Sequence, residues 1–153
     1  MNFDGISGAV ATSGFEQWIE LESFSWGFVH PLGGTGISSS RGTTSTADVQ
    51  EAVVVKRADS ASALLAQAGL QSGPSATVKI AFTATVKDKV DTYMMFELSQ
   101  CLISRYKIAH SGEGRPLEEL ALNFSKITYT FTARDAKLIG KPSSFTYDLK
   151  AGA

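Results

Sequence analysis

The residues with the clearest potential for chemistry are two histidines, His30 and His110, and a single cysteine, Cys101. A metal site built from such residues needs ligands at short, regular spacings, and these three form no such motif. Each histidine follows a strand-like run, which is typical of a structural or solvent-exposed side chain. Cys101 sits in an apolar run, where a cysteine is usually buried and inert. We therefore predict no bound metal.

Two carboxylates, Glu20 and Glu22, alternate along one strand-like stretch and are expected on the same strand face. Paired acids can act as general acid and base, but they need a cleft that raises the pKa of one of them. Beside aromatic neighbours they are more typical of a solvated strand face. No Gly-x-Ser-x-Gly nucleophile motif occurs either. The sequence favours a protein that is not an enzyme and has no cofactor.

The stretch that carries these carboxylates, residues 17–29, reads as a strand with a fault in its alternation. Apolar side chains fall on odd positions at Ile19 and Leu21 and on even positions from Phe24 onward. Because side chains alternate with a period of two, the change of phase predicts a bulge near residues 22–23. The two halves of a strand with such a bulge can pack their apolar side chains against two different surfaces.

The same change of phase recurs twice in the second half of the chain, which predicts further bulges near Gln100 and near residues 125–126. One apolar face at helical spacing, Ala61, Leu64, Leu65 and Ala68, predicts a helix over 59–69, with a C-cap at Gly69. About seven strands, some longer than ten residues, complete the chain. The predicted fold is mainly β, a partly closed antiparallel β-barrel with one short flanking α-helix.

Composition narrows the class of protein. The chain has 153 residues, which suits a single domain spanning 1–153, and its formal net charge of −1 argues against a nucleic-acid partner. Residues 1–55 hold six acids and one basic residue, and the rest of the chain holds nine acids and thirteen basic residues. This asymmetry is either chance or the sign of one acidic and one basic surface, an arrangement suited to self-association. The N-terminus resembles no signal peptide and no apolar run is long enough to cross a membrane, so we expect no membrane insertion.

Residues 33–46 form a loop in which twelve of fourteen residues are Gly, Ser or Thr. It is either a flexible linker or an arm that orders itself against a partner. The residues expected at a contact between subunits or rings are Gly33, Gly34, Gly36, Ser38, Ser39, Arg41 and Gly42.

Six segments, taken in order, resemble the haemolysin-coregulated protein (Hcp) family, which forms the inner tube of bacterial type VI secretion systems. Two segments carry much of the likeness, Ile19-Glu-Leu-Glu-Ser-Phe-Ser-Trp-Gly27 and Leu120-Ala-Leu-Asn-Phe-Ser-Lys-Ile-Thr-Tyr129. The others are Asp4-Gly-Ile-Ser-Gly8, Val54-Val-Lys-Arg-Ala-Asp-Ser-Ala-Ser-Ala-Leu64, Leu102-Ile-Ser104 and Phe145-Thr-Tyr-Asp-Leu149. The first strand is shorter at its start than in the family.

The resemblance implies a β-barrel that assembles into a homo-hexameric ring, with rings stacking into a tube. It implies a lumen that carries or protects effector proteins, with Ser25 and Gly27 facing it, and contacts with the tip (spike) and sheath proteins of the apparatus. The protein would be cytoplasmic on synthesis and secreted through the apparatus without a cleaved signal peptide. The alternatives are the tube protein of a phage-tail-like contractile injection system, or a monomeric small-barrel binding module.

Overall fold

A computed structural model of the chain describes residues 1–30, 46–71, 76–86, 88–133 and 140–152. Strands dominate these residues, and all their pairings are antiparallel. In chain order the elements are β1 (Asn2–Phe3), β2 (Ser23–Ser25), β3 (Phe28–Val29), β4 (Asp48–Val49), β5 (Ala52–Arg57), α1 (Ser62–Leu70), β6 (Ala76–Val86), β7 (Lys89–Ala109), β8 (Leu117–Asn123), β9 (Lys126–Thr132) and β10 (Pro142–Asp148). The predicted class, mainly β with one helix, is confirmed.

The strands form two main sheets that share one long strand, β7. Sheet A contains β1, β6, the first part of β7, β9 and β10; sheet B contains β2, β5, β8 and the last part of β7. A separate pair, β3 and β4, lies apart from both. The ladder of hydrogen bonds runs from β1 at one end to β2 at the other and is not closed. The barrel is therefore a partly closed one, as predicted.

The predicted bulge near Gln100 is confirmed and marks the point where β7 passes between the sheets. Gln100 has a φ of 51°, in the left-handed region that few side chains adopt. Before it, Ser99 pairs with β9, and after it Leu102 pairs with β8. The change of side-chain phase seen in the sequence is thus the strand turning from one sheet to the other.

The change of phase near residues 125–126 also marks a passage from one sheet to the other, but here the chain leaves the strand instead of bulging. Phe124 and Ser125 lie outside both strands, so the chain breaks between β8 in sheet B and β9 in sheet A. Leu122 and Ile127 are both fully buried on either side of the break. The predicted single strand with a bulge is instead two strands, because each half pairs with a different sheet.

The predicted strand over 17–29 is wrong in its first half. Residues 17–22 belong to no strand, and Gln17 has a φ of 63°. Ile19 is nevertheless buried in the core, and its N–H and C=O both bond to the backbone of Met1, at 2.7 and 2.6 Å. The segment departs from a regular strand because it has to reach β1 of sheet A and then, through β2, β5 of sheet B.

The helix α1 begins at Ser62 and ends at Leu70, packed against β7. Its start is held by side chains that fold back on the backbone, with Asp59 Oδ1 accepting from the N–H of Ala61 and Ser62 Oγ accepting from the N–H of Asp59, both at 2.9 Å. The predicted C-cap at Gly69 is wrong, because the helix continues through it. Gly69 lies where a Cβ would come within 3.2 Å of Ile103, so its small size serves helix-to-strand packing.

The core lies between the two sheets and under the helix. Alternate residues of β5, β6 and β8 supply it, which follows from the two-residue period of a strand with one buried face. Its fully buried side chains include Ile19, Val54, Leu65, Val78, Ile80, Leu98, Leu120, Leu122 and Ile127.

Candidate functional site

The outer face of sheet B is the surface on which the sequence places Ser25. Ser25 lies opposite Val53, and Val53 lies opposite Ala121 on the next strand. Residues that lie opposite one another across an antiparallel pair share a face of the sheet. Ser25 is exposed, whereas its neighbour Phe24 packs against the core. As predicted, this strand therefore has one solvent-exposed face and one face that packs against the core.

A second row of the same face runs from Ser23 through Val55 and Glu119 to Lys107. Glu119 Oε1 lies 3.2 Å from Arg105 Nη2, and both side chains are partly exposed. The surface is thus made of hydroxyl groups, short apolar side chains and a few charges of both signs. Ser23, at the start of the second row, also lines a groove of about 660 Å³.

Gly27 lies between β2 and β3 and belongs to neither strand. Its carbonyl oxygen accepts a 3.0 Å hydrogen bond from the N–H of Gln50, and a Cβ there would approach only Gln50 Oε1, at 3.8 Å. Its assignment to a lumen remains a prediction. The seven loop residues from Gly33 to Gly42 lie outside the described residues.

Of the residues that suggested chemistry, Glu20 and Glu22 line one surface pocket, which also contains Arg57 and Arg115. Glu22 Oε1 lies 2.6 Å from Arg57 Nε, so this carboxylate is held in an exposed ion pair. The predicted sharing of a strand face by Glu20 and Glu22 is wrong in form, because residues 17–22 are not a strand. His110 is exposed, and the ring of His30 packs edge-on against Phe28.

Cys101 is buried, as predicted from its apolar surroundings. Burial raises the pKa of its thiol to about 12, so the reactive thiolate is scarce at neutral pH. The described residues include no group of three or more His, Cys, Asp or Glu side chains placed to hold a metal ion. The helix of the described residues falls short of the length and hydropathy that a membrane crossing requires.

A buried ion cluster escaped the sequence prediction. Lys56 Nζ lies 2.7 Å from Glu118 Oε2 and 2.9 Å from Asp59 Oδ1, and the side chains of Lys56 and Glu118 are fully buried. Burial, and then the neighbouring Glu118 carboxylate, raise the pKa of Tyr106 to about 12. The sequence does contain a sign that both charges are buried. Lys56 follows the buried residues Ala52 and Val54 at a period of two, and Glu118 precedes Leu120 and Leu122 in the same way, so each charge falls on the buried face of its strand.

An exposed apolar surface lies where β3 and β4 meet β10, and we call it the aromatic patch. It surrounds a shallow pocket of about 310 Å³ and comprises Trp26, Phe28, His30, Ala47, Val49, Phe145 and Tyr147. Phe28 is 55% exposed and Phe145 is 46% exposed. A cluster of large apolar side chains left open to solvent is typical of a protein–protein contact.

Comparison with known proteins agrees with this architecture. Residues 1–131 match the family model described as "Type VI secretion system effector, Hcp". A search of the curated proteins returns no match.

Solved structures of similar fold cover almost the whole chain. A type six secretion system protein has a TM-score of 0.84 at 23% identity, over 99% of this chain and 95% of that one. A type VI secretion system effector from Yersinia pestis has a TM-score of 0.75 at 21% identity, over 96% of each chain. Hcp1 from Salmonella typhimurium has a TM-score of 0.71 at 18% identity, over 98% of this chain and 92% of that one.

Proposed function

Because the chain belongs to the Hcp family of type VI secretion system proteins, we propose that it forms six-membered rings that stack into a tube and carry effector proteins in the lumen. The family makes it a tube or effector protein of a type VI secretion system. The ring, the stack and the cargo are the parts that we propose.

The observation that carries self-assembly is the aromatic patch. Phe28 and Phe145 remain open to solvent although the chain already has a filled core. A second copy of the chain is the partner that covers such a surface in a ring, because a contact between two different patches of identical subunits closes when the rotation allows it. Burial of two phenylalanines contributes a few kcal/mol to each contact, at roughly 1.5–3 kcal/mol for each side chain.

The outer face of sheet B is the proposed wall of the lumen, with Ser25 and Gly27 as residues that face the cargo. Its support is the exposure of Ser23 and Ser25 and the mixture of small polar and charged groups beside them. A wall of this kind can contact different proteins without binding any one of them tightly. The loop with Gly33, Gly34, Gly36, Ser38, Ser39, Arg41 and Gly42 is the proposed contact with a neighbouring subunit or ring.

The other proposed partners and the route follow from the family. In this proposal the tube contacts the tip and sheath proteins of the apparatus and is secreted through it. The tube acts mechanically and as a carrier, so no catalytic residue is proposed.

Particle mass in solution tests the proposal. A hexamer of the 16.3 kDa chain weighs about 98 kDa, and light scattering coupled to gel filtration measures this directly. We expect Phe145→Asp to release monomers, because it places a charge in the patch, and Leu70→Asp to leave the hexamer intact, because Leu70 is 86% exposed at the end of the helix. A wild-type protein that stays monomeric at high concentration contradicts the tube and favours a small-barrel binding module.

A further inference from the structure

A second apolar surface lies apart from the aromatic patch, beside the helix. It is a groove of about 310 Å³ between α1, β1 and the part of β7 that follows Gln100, and we call it the α1 groove. Its apolar lining is Phe3, Ile6, Leu64, Ala68, Leu102 and Ile103. Leu64 is 47% exposed and Leu102 is 42% exposed, so the groove is open to solvent although Phe3 and Ile103 belong to the core.

The α1 groove and the aromatic patch lie at opposite edges of both sheets. In sheet A the groove adjoins β1 and the patch adjoins β10, with β6, β7 and β9 between these two strands. In sheet B the groove adjoins the last part of β7, whereas Trp26 of the patch follows directly after β2 at the other edge. Neighbouring strands are about 4.8 Å apart, so on the order of 19 Å separates β1 from β10 across sheet A.

This placement determines how copies of the chain can join. A subunit with two different surfaces on opposite edges offers its patch to one neighbour and its groove to the other, and such a head-to-tail contact closes into a ring when the rotation allows it. A contact between two aromatic patches would use the same surface on both copies and would end at a dimer. The positions of the two surfaces therefore favour patch against groove as the repeating contact.

The chemistry of the two surfaces is compatible. Both linings are mainly apolar, and among the described residues neither contains a lysine or an arginine. Asp4 supplies a carboxylate to the groove and His30 supplies a basic side chain to the patch, so an acid meets a base rather than a second acid. Like charges set against each other across an interface would oppose the contact, and these two linings avoid them.

We propose that the aromatic patch of one subunit docks into the α1 groove of the next, and that this contact repeats around the ring. The proposal rests on the proposed function, because it names the surface that covers the aromatic patch in the ring. Leu64 and Leu102 of one subunit pack against Phe28 and Phe145 of its neighbour. Two solvent-exposed apolar surfaces thereby become one buried interface.

Two leucines of the same helix provide the first test. Leu64→Asp places a charge in the α1 groove, and we expect the mass measured by light scattering to fall from about 98 kDa to about 16 kDa. Leu70→Asp is the matched control, because Leu70 does not line the groove and is 86% exposed, and it is expected to keep the mass of the hexamer. Circular dichroism spectra of both variants are expected to match the wild type.

The result for the wild-type protein separates this contact from the proposed function. A wild-type protein that stays monomeric contradicts the ring and the contact together. A hexameric wild type with an equally hexameric Leu64→Asp variant contradicts the contact alone.

Cross-linking tests which surfaces meet and needs no charge in the interface. The double variant Leu64→Cys with Phe145→Cys is treated with a short bismaleimide and run on a denaturing gel. We expect covalent oligomers up to the hexamer, and only monomers from each single variant. The wild type is the blank, because its Cys101 is buried and its thiolate is scarce.

Two results of the cross-linking overturn the proposal. A ladder from Phe145→Cys or Leu64→Cys alone shows that identical surfaces meet. A double variant that remains hexameric in native gel filtration but yields only monomers after cross-linking shows that the patch and the groove do not meet in the ring.

Discussion

At the scale of single residues, the buried Lys56–Glu118 pair matters most for the stability of the fold. Both side chains are fully buried, and the ammonium group of Lys56 is compensated by Glu118 and by Asp59. Removing one partner of such a pair is costly, since the remaining charge stays buried and unpaired. The adjacent pair, Arg57 with Glu22, has nearly the same separation but is about half exposed. Two neighbouring residues thus allow the effect of burial to be measured with little else changed.

We expect Lys56→Met to lower the free energy of unfolding by about 3–5 kcal/mol. Arg57→Met, the matched control, is expected to cost less than about 1 kcal/mol because water screens the exposed pair. The double variant Lys56→Met with Glu118→Leu is expected to recover only part of the loss, since it removes the buried Glu118 charge but leaves Asp59, which is 9% exposed, without its Lys56 partner. Urea unfolding followed by circular dichroism measures all three. Equal losses for Lys56→Met and Arg57→Met contradict this account.

Ser25 is the residue whose role in the lumen is easiest to test. Ser25→Arg places a long cation on the outer face of sheet B, where the serine is exposed, so the fold has room for it. We expect intact rings with reduced retention of a co-expressed effector protein, measured by co-purification. Thr85→Arg, at an exposed position of β6, is the control and is expected to retain the effector. Rings that break apart on Ser25→Arg contradict the lumen assignment.

At the scale of elements, the sequence predicted where the chain bends but not how. The switch of side-chain phase near Gln100 and near Ser125 is visible in the residues themselves, because it follows from which positions are apolar. Whether the switch is a bulge or a break depends on the strands that pair on each side, and these lie far away in sequence. The strand prediction for residues 17–22 is wrong for the same reason, because this segment bonds to the backbone of Met1, which lies far away in sequence.

The segment before β2 depends on one glycine for its close approach to the backbone. A Cβ on Gly8 would lie 2.6 Å from the carbonyl carbon of Trp18 and 2.7 Å from Ile19 Cα. Gly8→Ala therefore pushes two backbone segments apart and weakens the hydrogen bond from Gly8 N–H to Gln17 O. We expect a loss on the order of 2 kcal/mol in the free energy of unfolding.

Gly27→Ala is the matched control, because a Cβ there meets only Gln50 Oε1 at 3.8 Å. Its cost is expected to stay within about 0.5 kcal/mol. Thermal unfolding of the two variants side by side makes the comparison. If Gly8→Ala is as stable as Gly27→Ala, the close approach at Trp18 is not a constraint on the fold.

At the scale of the whole molecule, the sequence was enough to predict the fold and the family. It predicted the exposure of Ser25 on sheet B but not the aromatic patch. The alternation of the strands and the order of six motifs led to the barrel and to Hcp. The aromatic patch was not predicted, because Trp26 and Phe28 read as core residues when their strand is taken alone. Only the pairing of β3 with β4 shows that this end of the chain leaves the main sheets.

The Gly/Ser/Thr-rich loop is tested by shortening it. Deletion of residues 36–43 is expected to leave the circular dichroism spectrum and the melting temperature of the barrel unchanged, since the core that the structure describes is formed by other residues. In the proposed tube it weakens ring stacking or ring closure, which sedimentation velocity and electron microscopy of purified protein detect. An unchanged assembly shows that the segment is only a linker.

The strand shared by both sheets also constrains the order in which the protein can fold during synthesis. β6 and the first part of β7 are neighbours in sequence and can form a hairpin early. Val54 of β5, by contrast, pairs with Leu120 of β8. The pairing of β5 with β8 therefore cannot form until more than sixty further residues have left the ribosome. Its partner β8 then joins to the last part of β7. Until β8 has been synthesised, sheet B is incomplete and the nascent chain exposes the apolar strand β5, a surface that chaperones bind.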